Sequence, residues 1–119
     1  MAGRRPVSDA TFRDFVLDQL GGLADLRAQA MFGGHGLYLA ETFFAIIHRG
    51  RLYLRVDDTT RPVFERRGMK PFRPGPRQTL GGYYEVPLDV LEQPDILERW
   101  ARAAAGVASR HRRRTRRPR

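Results

Sequence analysis

Three short apolar runs constrain this chain more than any other feature it has. Leu37-Tyr38-Leu39-Ala40, Phe43-Phe44-Ala45-Ile46-Ile47 and Leu52-Tyr53-Leu54-Arg55-Val56 are separated only by Glu41-Thr42 and by His48-Arg49-Gly50-Arg51. Such short connections cannot hold the crossover that a parallel pair needs, so consecutive runs must pair as antiparallel hairpins. In the third run Leu52, Leu54 and Val56 alternate with Tyr53 and Arg55. One face of the sheet is therefore expected under a covering layer, and the other is expected to be wetter.

The flanks supply that layer. Ser8 is a good N-cap for a helix through about Leu20, with Phe12, Phe15, Val16 and Leu20 on one face and Gly21-Gly22 as its stop. From Leu23 to Ala30, apolar and polar residues alternate, which favours a half-buried strand. Asp57-Asp58-Thr59-Thr60 ends the sheet and offers a capping side chain to a short helix, with Pro62 in its first turn and Gly68 just past its end. The segment PFRPGPRQTLGG reads as a loop or a distorted hairpin leading into a short strand, Tyr83-Tyr84-Glu85-Val86. Pro87 and Pro94 then punctuate the entry to a final helix from about Asp95 to Ala108, whose core face is Leu97, Trp100, Ala101, Ala104 and Ala108. The expected organisation is a flexible N-terminus over 1–7, one domain over 8–109, and a disordered arginine-rich tail over 110–119.

At 119 residues and 41% apolar content, the chain is the size of one domain with a respectable core. No stretch approaches the roughly 20 apolar residues of a membrane span, and MAGRRPVSDA lacks the apolar segment of a secretion signal. The expected location is the cytoplasm, without membrane contact. The absence of cysteine excludes disulfides, thiolate metal sites, iron–sulfur clusters and cysteine nucleophiles. Charge is unevenly placed: seven of the 22 basic residues lie in RHRRRTRRPR, leaving 15 against 13 acidic residues in 1–109, or +2 of the +9 total. Lys70 is the only lysine, an arginine bias that a GC-rich genome produces without selection for guanidinium chemistry.

The glycine cluster in MFGGHGLYL invites a phosphate-binding reading. However, a phosphate loop opens a helix, whereas the residues that follow, Leu-Tyr-Leu, read as a strand. Gly33, Gly34 and Gly36 are instead expected to be structural, supplying positive φ or a bulge. His35 has no metal-ligand spacing to His48 or His111, so no metal and no cofactor is expected. Ser8 and Ser109 lie at the domain edges, away from any nucleophile elbow. Tyr38, Tyr53, Tyr83 and Tyr84, with scattered arginines, have the ingredients of a stacking platform for single-stranded nucleic acid, though aromatics in strands more often cover a core.

The blocks MFGGHGLYL, GRLYLRVDD, RPVFERRGMKPF, and YYEVP followed by ERWARAAA occur in order from about Phe12 to Ala105. Together they resemble the N-terminal domain of the TfoX/Sxy family of competence regulators. His35 stands where an aromatic is common in that family, and Glu41-Thr42 replaces a more turn-like Asp-Gly. The resemblance implies a two-layer α+β fold with an antiparallel sheet of about five strands: a helix, a three-stranded meander, a short helix, two strands and a C-terminal helix. It also implies a regulatory role, with no catalytic residues to carry over. Family members that act with the cyclic-AMP receptor protein continue into a second, helical domain, where this sequence carries the arginine run.

The functional expectation is a non-enzymatic regulator, monomeric or homodimeric, whose body binds a protein partner. Arg110, Arg112, Arg113, Arg114, Arg116, Arg117 and Arg119 are expected to attract nucleic acid without sequence preference. One alternative is a small-molecule or enzymatic pocket near His35, Asp57 and Glu85. Another is a homodimeric adaptor.

Overall fold

A computed structural model describes residues 9–31 and 33–115. Its elements run α1 (Asp9–Gln19), β1 (Leu26–Met31), β2 (Gly34–Leu39), β3 (Thr42–His48), β4 (Arg51–Arg55), α2 (Arg61–Arg66), β5 (Pro71–Gly75), β6 (Gln78–Glu85), α3 (Leu88–Leu91) and α4 (Pro94–Thr115). The strands form one antiparallel sheet in the order β1-β2-β3-β4-β6-β5. The α+β class is as expected, but the sheet has six strands, and the meander has four rather than three. The added strand is β1, whose inward Leu26 and Ala28 pack on the core. Ser8, the expected cap of α1, lies outside the described residues.

Hairpin chemistry sets the register. His48 pairs with Arg51, so the β3–β4 connection is two residues, Arg49 and Gly50, both at positive φ (+52° and +74°). That is the turn whose twist suits a hairpin, and Asn-Gly is its usual sequence because a β-carbon is crowded at positive φ. Between β2 and β3, Leu37 faces Ala45 and Tyr38 faces Phe43, which leaves Phe44 as the extra residue of a bulge. The prolines of PFRPG do not prevent pairing, because β5 is an edge strand with an irregular register against β6.

Alternation along the strands divides the side chains between two faces. On one, Leu37, Ala45, Ile47, Leu52, Leu54 and Val56 are buried beneath Val16, Leu20, Leu97, Ala101 and Ala104 of the helical layer. On the other, Ile46, Tyr53 and Phe72 form a small cluster with Phe43, Leu80 and Tyr83 packed against it. Polar contacts stitch the helical layer together. Gln19 Nε2 donates to the Leu91 carbonyl at 2.8 Å, and Arg67 Nη2 donates to Asp89 Oδ2 at 2.6 Å. The Tyr84 hydroxyl donates to Glu65 Oε2 at 3.1 Å.

Thr60 is the N-cap of α2 and makes no side-chain cap bond, and the turn that leads into it is held by Asp57. Its Oδ1 accepts the Thr59 and Thr60 N–H groups at 3.0 Å, and its carbonyl accepts the Arg61 N–H at 2.8 Å. Pro62 follows in the first turn, and Gly68, at φ +77°, ends the segment.

The last helix corrects an expectation. The sequence puts its end near Ala108 with a disordered tail over 110–119, but α4 continues as helix through Thr115. Arginine is a good helix former, and no proline intervenes before Pro118, so i→i+4 bonding propagates from the packed turns around Val107 and Ala108. Residues 116–119 lie outside the described residues.

Candidate functional site

The glycine segment is a backbone device in a crowded place. Gly33 turns the chain at φ +75° between β1 and β2. Gly34 and Gly36 are strand residues with no room for a side chain. A β-carbon on Gly34 would collide with the Ile47 carbonyl oxygen, and one on Gly36 would lie 2.6 Å from Met31 Cε and 2.7 Å from the Phe43 ring. No helix starts here, so no set of free N–H groups converges on an anion.

The pocket expected near His35, Asp57 and Glu85 does not form, and strand alternation is the reason. His35 faces Ile47 across the ladder, on the helix-covered side, and its Nε2 lies 3.4 Å from Arg13 Nη1 of α1. Its Nδ1 is buried without a hydrogen-bond partner among the described residues. Glu85 faces Tyr53 on the opposite side of the sheet, where its Oε2 accepts from Arg51 Nη1 at 2.9 Å. Asp57 belongs to the turn that leads into α2. Its carboxyl is held below the ordinary carboxylate range, first by the Thr60 N–H and then by the Thr59 N–H, the Thr60 hydroxyl and Arg110.

Two basic regions remain as candidates for function. The first is the far end of α4, where the helix carries Arg110, Arg112, Arg113 and Arg114. Arg110 Nη2 lies 3.5 Å from Asp57 Oδ2, which ties this end of the helix to the exit of β4. Arg116, Arg117 and Arg119 lie outside the described residues.

The second region is the face of the sheet away from the core. Rings follow one another across the strands there, with Tyr38 to Phe43 at 5.2 Å and Phe43 to Tyr83 at 5.8 Å between centroids. The Arg27 guanidinium sits 4.2 Å from the Tyr38 ring centre, and that of Arg55 sits 5.4 Å from the Tyr83 ring centre. Where the β3–β4 and β5–β6 turns approach one another, a hollow of about 410 Å³ opens between His48, Arg49, Arg51, Tyr53 and Arg73. Sequence reasoning named three of this face's tyrosines but missed Phe43, Arg27, Arg49 and Arg73. Tyr84, the fourth tyrosine of the expected platform, points instead into the helix-side core and packs on Phe64.

With the fold and these surfaces in place, comparison with known families is decisive. The family model described as the TfoX N-terminal domain matches residues 18–108. The chain belongs to the TfoX N-terminal domain family. That span runs from the last residues of α1 to the last buried turn of α4, so it includes all six strands and the hollow of this TfoX domain. No curated protein matches the chain. Family membership carries a general regulatory, competence-related assignment for the domain. Among its described residues, no helix is long and apolar enough to cross a membrane.

Proposed function

We propose that this protein is a non-enzymatic regulatory domain of the cytoplasm that acts by contact. Its folded body engages a protein partner, and the arginine-bearing end of α4 adds sequence-independent attraction to nucleic acid. The observation that carries this reading is the continuation of α4 through Thr115, which holds Arg110 and Arg112–Arg114 along one helical rod rather than on a loose chain. A basic helix pre-ordered in this way meets a phosphate backbone without first losing the entropy of folding. By resemblance, the partner belongs to the transcription machinery, with the cyclic-AMP receptor protein as the first to test.

Binding of a duplex DNA by the native chain and by a variant with glutamine at all seven arginines of 110–119 tests the nucleic-acid arm. If all seven neutralise phosphates, log affinity against log salt has a slope near −6 for the native chain, about −0.9 per contact, and the glutamine variant loses it. An unchanged slope in the variant rejects this arm. A pull-down from native cytosol with the same two chains separates partners of the body from partners of the arginine segment.

A further inference from the structure

We propose that the hollow between the β3–β4 and β5–β6 turns, together with the ring row toward the other end of the same strands, binds single-stranded nucleic acid through a backbone phosphate. The hollow is separate from the arginines of α4. Those meet the sheet at Asp57, beyond the C-terminal end of β4, whereas the hollow lies at the N-terminal end of β4 and on the other face.

Charge is the first argument. Three guanidiniums, those of Arg49, Arg51 and Arg73, line the hollow, and no carboxylate among the described residues does. Arg51 is the one that already has a counter-charge, Glu85. Arg73 Nη2 reaches only the Pro76 carbonyl, at 3.3 Å, and Arg49 makes no ion pair among the described residues. Guanidiniums gathered in a recess without matching anions are suited to a phosphate, which a planar N–H fork grips at two oxygens.

Backbone conformation is the second. Arg49 is held at φ +52° in a turn that asparagine or glycine would occupy with less strain. Neither the turn nor the core uses its side chain, since Arg49 is exposed. Its guanidinium is thus left for contact outside the fold.

The surroundings point to a single strand. About 410 Å³ is room for one nucleotide-sized group. The hollow borders Tyr53 and His48, and toward the other end of the same strands lie the half-buried rings of Phe43, Tyr83 and Tyr38, with Arg27 over the Tyr38 ring and Arg55 over that of Tyr83. Bases stack on protein rings only when they are not stacked on each other.

The test uses the full chain, fluorescence anisotropy, and two labelled probes: a twelve-residue oligothymidylate and a twelve-base-pair duplex. The key variant is Arg49→Asn combined with Arg73→Gln. Because asparagine suits the turn better than arginine, this variant folds at least as well as the native chain, which a thermal melt verifies. Oligothymidylate binding is expected to weaken about tenfold or more in it, and the salt slope to fall by about 1.4, or 0.7 for each lost contact on a single strand. Duplex binding is expected to stay within about twofold. The same loss is expected when the two substitutions are added to the chain with glutamine at all seven arginines of 110–119. Unchanged oligothymidylate binding in the folded variant overturns the proposal, and so does an equal loss for both probes. If the seven-glutamine chain binds the duplex like the native chain, the α4 reading fails while the hollow stands.

Discussion

The two faces of this sheet are made by the same strands, yet they are built from different materials. On the helix side the strands contribute mainly aliphatic residues, and Leu37, Ile47, Leu52 and Leu54 are fully sealed beneath α1 and α4. On the far side, with Tyr38, Phe43 and Tyr83 only half-buried, rings lean on one another and arginines lie across them. An aliphatic face can only exclude water, so it needs a lid. Rings edged by guanidiniums stay partly wet and still cohere, because the charged groups lie over the ring faces while remaining hydrated. One face thus holds the domain together, and the other is left for contact.

Substitutions on the two faces should separate stability from binding. The largest loss is expected for Leu37→Ala, about 2–5 kcal/mol by chemical denaturation, since the side chain is fully buried and its neighbours belong to two layers. A loss under 1 kcal/mol there would mean that the helical layer is not what seals the sheet. Gly34→Ala should follow at roughly 1–3 kcal/mol, because its β-carbon would meet main chain rather than a yielding side chain. Phe43→Ala, on the half-buried face, should cost about 1–2 kcal/mol and weaken oligothymidylate binding more than Leu37→Ala does. If Phe43→Ala proves as destabilising as Leu37→Ala, the far face is a second core and the contrast fails.

The seam between sheet and helices gives a smaller effect. Asp57→Ala should cost about 1 kcal/mol through loss of its hydrogen bonds to the Thr59 and Thr60 N–H groups. Asp57 and Asp89 are both held below their ordinary values, Asp57 chiefly by the Thr60 N–H and Asp89 chiefly by Arg67. A depressed carboxylate contributes stability that is fully present above its unfolded value, near 4, and is lost as pH falls through the folded value. Melting temperature should therefore drop below about pH 4, and less so in Asp57→Ala. The smallest change belongs to Arg27→Ala, about 0.5–1 kcal/mol for the guanidinium over Tyr38. A larger effect would show that the arginines of the far face serve the fold first.

Much of this was legible in the order of residues. The meander followed from connection length, the covered face from the alternation of Leu52, Leu54 and Val56, and the break before α2 from Asp57 and Pro62. The strand Leu26–Met31 was visible in its alternation but was not added to the meander, since two inward positions give a weak signal beside a possible helix turn. The end of α4 was misplaced because apolar residues run out after Ala108, while helix propagates on backbone bonding once its earlier turns are packed. The arginines of 110–119 announce themselves because they are contiguous. Arg49 and Arg73 do not, since they lie in different hairpins and are brought to one hollow only by the pairing of β3, β4, β6 and β5.

By itself the sequence determined the hairpins of β2, β3 and β4, the helices that open and close the domain, and which face of the central strand would be sealed, because period and turn chemistry are local properties. Tertiary structure alone decided that His35 and Glu85 part company across the sheet, and that the rings of Tyr38, Phe43 and Tyr83 meet. Register between strands fixes both outcomes. A shift of one residue would send each side chain to the opposite face, and no single segment carries that choice.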